Sequence, residues 1–165
     1  MDAAHPALET EPPQRTPDTS RVTPPQRRVV LASVSSTDVD IARLAALVDH
    51  PAAGAVVTFV GQVRDHDHGR QVTGIEYVGH PSAGQVLREV AQDVAARFPV
   101  EALAVSHRVG VLPIGGVALA VAVSGAHRQE AFDAAGELVE EVKRRLPVWK
   151  RQELGDGTDE WVACP

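Results

Sequence analysis

Two lysines near the C-terminal end of the chain are the residues whose chemistry can be argued most directly. Lysine and arginine together number 16, yet only Lys143 and Lys150 are lysines. Arginine stays protonated in proteins, whereas a lysine in an apolar setting can lose its proton and act as a base or nucleophile. We therefore treat both lysines as candidate catalytic residues, the alternative being that they are two ordinary surface residues.

The spacing of apolar residues places Lys143 on a helix predicted over 129–146. With Phe132 as the origin, a rotation of about 100° per residue puts Lys143 about 20° away. This predicts that its ammonium group lies within the apolar stripe and points into a pocket below the helix end. The alternative is a snorkelling side chain with a solvated tip. Pro147 ends the helix, so that Lys150 can approach the same pocket.

Arginines near these lysines predict that the pocket binds an anion. Arg144, Arg145 and Arg151 lie in the same stretch of a chain whose formal net charge is −6. A local basic cluster of this kind can hold an anion within an acidic protein. The overall charge argues against a general nucleic-acid or membrane-surface binder.

Two other segments carry residue types suited to an anion. Arg64 ends a predicted strand, where its guanidinium can bind phosphate or carboxylate, although a solvated strand-end arginine is the simpler interpretation. His127 and Arg128 follow a strand and open the last helix, where free backbone N–H groups attract anions. For His127, a capping or packing role is the alternative.

The segment Asp65–His68 contains side chains that bind metals in other proteins. Four consecutive residues rarely converge on one ion, and no other histidine and aspartate cluster has ligand spacing. We therefore expect a polar loop here and no metal site.

The elements that must position these residues form one domain after a tail. Residues 1–28 are rich in proline and poor in large apolar side chains, which predicts a disordered tail. The domain is predicted over 29–165, with strands at 29–34, 55–64, 72–78, 102–109 and 117–123, helices at 41–48, 82–98 and 129–146, and a C-terminal hairpin at 148–163. Strands that follow one another without an intervening helix indicate a largely antiparallel sheet and an α+β fold.

One strand has a composition that predicts its place in the sheet. Over 117–123, alanines alternate with larger branched residues. A face of alanines suits a central strand packed closely under a helix.

Cysteine usage and the length of apolar runs bear on the compartment. Cys164 is the only cysteine, so a disulfide within the chain is impossible. No apolar run approaches the ~20 residues of a membrane span. Because the N-terminus also lacks the pattern of an export signal, a reducing cytoplasm is the expected compartment.

Four segments, taken in order, resemble the large-subunit family of molybdopterin synthase. They are Gly54–Arg64, His107–Gly110, Ser124–Arg128 and the stretch from Lys143 to Arg151. The resemblance runs from about Val29 to Trp161. It implies an α/β hammerhead fold, a largely antiparallel sheet with three main helices and a C-terminal hairpin, and no bound cofactor.

The resemblance also implies an enzyme of molybdenum cofactor biosynthesis. Such an enzyme converts cyclic pyranopterin monophosphate to molybdopterin by transferring sulfur from a small ubiquitin-like subunit. The sulfur is carried as a thiocarboxylate on that subunit's C-terminal Gly-Gly. The implied assembly is a heterotetramer, in which a homodimer of large subunits binds a small subunit at each end.

The family's substrate-contacting positions carry over to Gln62, Val63, Arg64, His127, Arg128, Lys143, Lys150, Arg151 and Gln152. Lys143 would act as general base or transient nucleophile, and Lys150 would stabilise negative charge on the opening cyclic phosphate. His127 and Arg128 would reach the pocket of the neighbouring large subunit. A non-catalytic docking protein for the small subunit and a metal-dependent hydrolase built on Asp65–His68 are the alternatives.

Overall fold

The computed structural model describes residues 21–163, which form three helices and nine strands. Most of the predicted tail and Cys164 therefore lie outside the described residues. The helices are α1 (Ile41–Leu47), α2 (Ala83–Arg97) and α3 (Arg128–Arg145). The strands are β1 (Arg28–Ser35), β2 (Ala55–Gln62), β3 (His66–Asp67), β4 (Arg70–Gly79), β5 (Val100–Arg108), β6 (Gly110–Pro113), β7 (Val117–Gly125), β8 (Val148–Leu154) and β9 (Asp159–Ala163). Within residues 21–163, no helix is long and apolar enough to span a membrane.

The first sheet has the strand order β1-β5-β7-β2. Only β1 and β5 run parallel; the other neighbours in this sheet are antiparallel. Val121 and the other large residues of the central strands face α2 and α3. Ala104, Ala120 and Ala122 face the opposite way and pack against Leu44 of α1. The alanine face of β7 therefore lies under a helix, as its composition predicted.

The second sheet is built around β4. One edge of β4 pairs with β8, which pairs in turn with β9, and the other edge pairs with β6 and β3. All of these pairings are antiparallel, which confirms the predicted α+β fold. Strands β3 and β6 lie in segments predicted as loops, because they are short and have no apolar alternation of their own. Pairing with β4 gives them their extended geometry.

Helix α3 buries a stripe that is rotated about the helix axis from the one centred on Phe132, although Ala135, Val139 and Val142 belong to both. Its buried residues are Ala131, Ala134, Ala135, Leu138, Val139 and Val142. Phe132, the origin chosen for the prediction, is 59% exposed. Lys143 is also exposed, so the prediction that it lies inside the apolar stripe is wrong. The core side of α3 uses small and branched residues because the helix packs closely against α2 and β7.

Candidate active site

The C-terminal end of α3, the end of β2 and the second sheet enclose a cleft of about 440 Å³. Lys143 lines this cleft from α3, and Lys150 lines it from β8. Arg64, which follows β2, lines the same cleft together with Gln62 and Val63. A single chain thus brings together five of the nine predicted substrate-contacting residues.

Strand β8 determines which residues near Lys150 reach the cleft, because successive side chains of a strand point to opposite faces. Lys150 is paired with Tyr77 of β4, and both line the cleft. Gln152 lies on the same face but is only 1% exposed, so it sits beneath the surface. Arg151 faces the other side, where its guanidinium lies 2.8 Å from Glu76 Oε2. Neither Arg151 nor Gln152 lines the cleft in this chain.

A carboxylate that the sequence did not predict as a site residue lies between the cations. Asp67 Oδ1 accepts a hydrogen bond from Arg64 Nη2 at 3.0 Å, and Asp67 Oδ2 lies 3.6 Å from Lys150 Nζ. Burial alone would raise the pKa of Asp67. The hydrogen bond from Arg64 and the positive charge of Lys150 outweigh that effect and hold the pKa below its ordinary value. Asp67 is therefore ionised at neutral pH.

The cleft also contains a buried imidazole that was not among the predicted site residues. His107 packs edge to face against Tyr77, with ring centroids 5.3 Å apart. His107 Nδ1 lies 2.9 Å from the backbone oxygen of Arg108, and because a carbonyl only accepts, this nitrogen carries the proton. Burial lowers the pKa of His107 more than this hydrogen bond raises it, so the ring is neutral at pH 7. Its placement two residues after Val105, on the core-facing side of β5, is the sequence signal that could have found it.

His127 and Arg128 lie at the opposite end of α3 from Lys143. The 15 residues from Arg128 to Lys143 correspond to about 22 Å along the helix axis. His127 lines a separate open depression of about 560 Å³, together with Arg21 and residues 51–54. Within one chain, the structure does not bring this pair to the cleft.

Within the segment Asp65–His68, some side chains face solvent and others face the cleft. His66 Nδ1 lies 2.7 Å from Asp65 Oδ1, and both side chains are largely exposed. Asp67, by contrast, lines the cleft. Over residues 21–163, no group of three or more His, Cys, Asp or Glu side chains is arranged to hold a metal ion.

The fold and the site define a class of protein: a largely antiparallel α+β domain whose cleft offers two lysines, an arginine and one carboxylate. The chain belongs to the MoaE protein family, whose sequence pattern matches residues 34–145. This membership and the structural similarities below confirm the family and the fold that the sequence predicted.

Relatives that are similar in sequence are named molybdopterin synthase catalytic subunits. The molybdopterin synthase catalytic subunit of Aspergillus clavatus is 46% identical over 112 residues, which is 67% of this chain and 57% of that protein. The molybdopterin synthase structure from Staphylococcus aureus matches with a TM-score of 0.74 and 26% identity, over 79% of this chain and 96% of that one.

A third structure is a complex of subunits 1 and 2 of molybdopterin-converting factor from Helicobacter pylori. One of its chains matches with a TM-score of 0.57 and 18% identity, over 82% of this chain and 88% of that one, which shows the fold alone. The present chain spans only 57% to 60% of the length of the Aspergillus and Neosartorya relatives that it matches.

Proposed function

We propose that this chain is the catalytic large subunit of a molybdopterin synthase, a sulfurtransferase of molybdenum cofactor biosynthesis that acts in the cytoplasm. The substrate is cyclic pyranopterin monophosphate and the product is molybdopterin. The observation that carries the proposal is the cleft in which Lys143 and Lys150, the only lysines of the chain, lie together with Arg64. The relatives named as molybdopterin synthase catalytic subunits support it.

The two lysines have different surroundings, which supports different roles. Lys150 is 19% exposed and faces Asp67, so it is a fixed cation suited to stabilising charge on the opening phosphate. Lys143 is exposed at the end of α3 and forms no ion pair with any described residue. Its amine is available to act as general base or transient nucleophile while sulfur enters.

The β2 edge of the first sheet, which pairs with no other strand within residues 21–163, supports a homodimer. β2 is the last strand of that sheet and exposes Val56, Phe59 and Val60. Its start adjoins the depression that contains His127, and its end reaches the cleft at Gln62. Two copies paired antiparallel along β2 about a twofold axis would place the start of one strand beside the end of the other. Each cleft would then receive the His127–Arg128 pair of its partner, where it would bind phosphate with Arg64.

The proposed sulfur donor is a small ubiquitin-like subunit whose C-terminal Gly-Gly carries a thiocarboxylate. One small subunit binds each end of the homodimer, which gives a heterotetramer. The two-subunit complex from Helicobacter pylori, one chain of which shares this fold, supports a partnership of this kind.

Reconstitution with a thiocarboxylated small subunit and the cyclic precursor tests the proposal, with molybdopterin formation as the measurement. Lys143→Ala should remain a folded dimer but lose at least about a hundredfold in rate, because it lacks the base or nucleophile. Lys143→Arg keeps the charge and should be similarly impaired, since arginine does not give up its proton. Arg144, which the sequence placed in the basic cluster, pairs with Glu141 and does not line the cleft, so Arg144→Ala should retain wild-type activity. Wild-type turnover by Lys143→Ala would contradict the mechanism.

The same experiment separates the alternatives. A non-catalytic docking protein would bind the small subunit without forming product. A metal-dependent hydrolase built on Asp65–His68 would contain stoichiometric metal after purification, which elemental analysis measures directly. The contacts of Asp67 with Arg64 and Lys150 favour the sulfurtransferase over the hydrolase.

A further inference from the structure

Asp67 is the one carboxylate among the described residues that line the cleft. Its side chain is only 10% exposed, and a desolvated carboxylate is costly unless it is paired and hydrogen-bonded. In a cleft proposed to bind an anion, such a group also repels the ligand. A physical reason for its presence is therefore required.

A tight hairpin fixes Asp67 at this place. β3 pairs with β4 through Asp67 and Arg70, and two residues connect the strands. His68 and Gly69 have φ angles of 46° and 75°. Positive φ at both loop residues is what a type I′ hairpin turn requires. The carboxylate is thus carried on a short, geometrically defined hairpin and not on a long loop.

Two further side chains, those of Gln152 and His68, also interact with the Asp67 carboxylate. Gln152, which is 1% exposed, helps to lower the pKa of Asp67, while its Nε2 donates a hydrogen bond to Glu160 Oε2 at 3.3 Å. His68 Nδ1 lies 3.2 Å from Asp67 Oδ1. The position of Asp67 therefore does not depend on Arg64 and Lys150 alone.

We propose that Asp67 is a positioning residue that holds Arg64 and Lys150 as a preformed pair for the phosphate group of the substrate. Arg64 follows β2 and Lys150 lies on β8, so no local segment joins them. One carboxylate oxygen faces each cation, at 3.0 Å and 3.6 Å. Without Asp67, two like charges on long side chains repel each other and move apart. The phosphate in this inference rests on the proposed function, whereas the pairing rests on the contacts themselves.

The pairing leaves hydrogen-bond donors for a ligand. A guanidinium has five N–H groups and an ammonium has three. Asp67 engages Arg64 through Nη2, and the Arg64 side chain remains 68% exposed. Asp67 can therefore orient both cations while their other N–H groups bind phosphate oxygens.

The presence of only two lysines provides a direct test of the pairing. In protein labelled with carbon-13 lysine, relaxation should show a more restricted ε-carbon for Lys150 than for Lys143. Asp67→Asn and Asp67→Ala should release Lys150 and leave Lys143 unchanged. Asp65→Asn removes the same charge from an exposed carboxylate two residues away and should change neither lysine. Equal mobility of the two lysines in the wild type, or no response of Lys150 to loss of Asp67, overturns the proposal; the first comparison requires no variant to fold.

Steady-state kinetics of the reconstituted enzyme distinguishes a positioning role of Asp67 from a simple charge effect, because the two change kcat/KM in opposite directions. Removing a carboxylate makes the cleft more positive, which by itself lowers KM for an anionic substrate. If Asp67 positions the cations, Asp67→Asn instead lowers kcat/KM by at least about tenfold. Asp65→Asn should keep wild-type values. A lower KM with unchanged kcat in Asp67→Asn overturns the positioning role.

The two proposals can fail separately. If the wild-type protein forms no molybdopterin, the proposed function fails, while the lysine relaxation still decides whether Asp67 holds Lys150. If molybdopterin forms but Lys150 does not respond to loss of Asp67, the proposed function stands and the role of Asp67 is rejected.

Discussion

His107 couples the stability of the cleft to pH. Burial lowers the pKa of His107, and its hydrogen bond with the Arg108 carbonyl only partly offsets this. Its pKa in the unfolded chain is about 6.5. A histidine whose pKa is lower in the folded state contributes stability that is present above the unfolded value and is lost as pH falls through the folded value. The loss therefore begins below about pH 6.5.

Replacing this histidine should flatten that part of the stability profile. We expect His107→Gln to lose less free energy of unfolding than the wild type between about pH 7.5 and pH 5, because no group titrates at position 107. Urea unfolding at both pH values measures the difference. His66→Gln removes a largely exposed histidine and should follow the wild-type profile. Equal losses in the wild type and His107→Gln would show that the buried ring does not carry the effect.

At the scale of elements, Arg21, which precedes β1, links the start of α3 to the first sheet through hydrogen bonds. Arg21 donates hydrogen bonds to Glu101 Oε1 at 2.5 Å and to Glu130 Oε2 at 2.7 Å. Glu101 is 1% exposed, and a buried carboxylate that loses its partner is strongly destabilising. Glu130 also accepts a hydrogen bond from the backbone N–H of His127 at 3.4 Å. Arg21, which the sequence assigned to the tail, thus contacts the helix start that presents His127 and Arg128.

Loss of this contact should destabilise the domain. We expect Arg21→Ala to lower the free energy of unfolding by about 2 kcal/mol, because it leaves a buried carboxylate without its closest partner. Chemical denaturation measures this change, and Arg28→Ala, which removes an equal charge from an exposed residue, is the control.

A double variant separates charge from packing at the same contact. Adding Glu101→Gln to Arg21→Ala removes the unpaired charge and should recover part of the lost stability. If the double variant is no more stable than Arg21→Ala, the pairing with Glu101 does not explain the loss.

The elements differ in how far their own residues determine their structure. The buried face of α2 could be predicted because Leu87, Val90 and Val94 repeat at helical spacing, and all three are fully buried. β3 and β6 could not be predicted, since their extended geometry comes from pairing with β4 and not from their own residues.

Within the site, spacing could identify the lysines but not their surroundings. The buried face of α3 was misplaced because Phe132 was taken as a core residue. Phe132 is exposed, and alanine, leucine and valine side chains form the core side of the helix. Asp67 was missed because its partners lie on β8 and after β2, and only the folded chain brings them within reach.

For the molecule as a whole, the charge of the surface and that of the cleft have opposite signs. The chain has a formal net charge of −6, whereas the described residues that line its cleft include two lysines and an arginine against one carboxylate. A small anion is therefore attracted locally, while an extended polyanion meets repulsion from the rest of the surface. This arrangement fits a phosphate-bearing metabolite better than a nucleic acid.

If each site takes residues from two chains, two impaired variants should complement each other. In a mixed dimer of Lys143→Ala and Arg128→Ala chains, one cleft has both residues intact. After random reassortment, about a quarter of all clefts are intact, and molybdopterin formation at low substrate should rise toward that fraction. Mixing Lys143→Ala with Lys150→Ala should give no recovery, since both residues belong to the cleft of the same chain. Absence of complementation in the first mixture would argue against a shared site.

Both ε-amines of this chain open onto one cleft. Acylating dyes and cross-linkers, which usually label proteins at many positions, therefore have one region to modify here apart from the α-amine. An ordinary succinimidyl ester becomes a site-directed probe of this cleft without any engineered residue. Binding of an anion in the cleft should then lower the rate at which the two lysines are labelled.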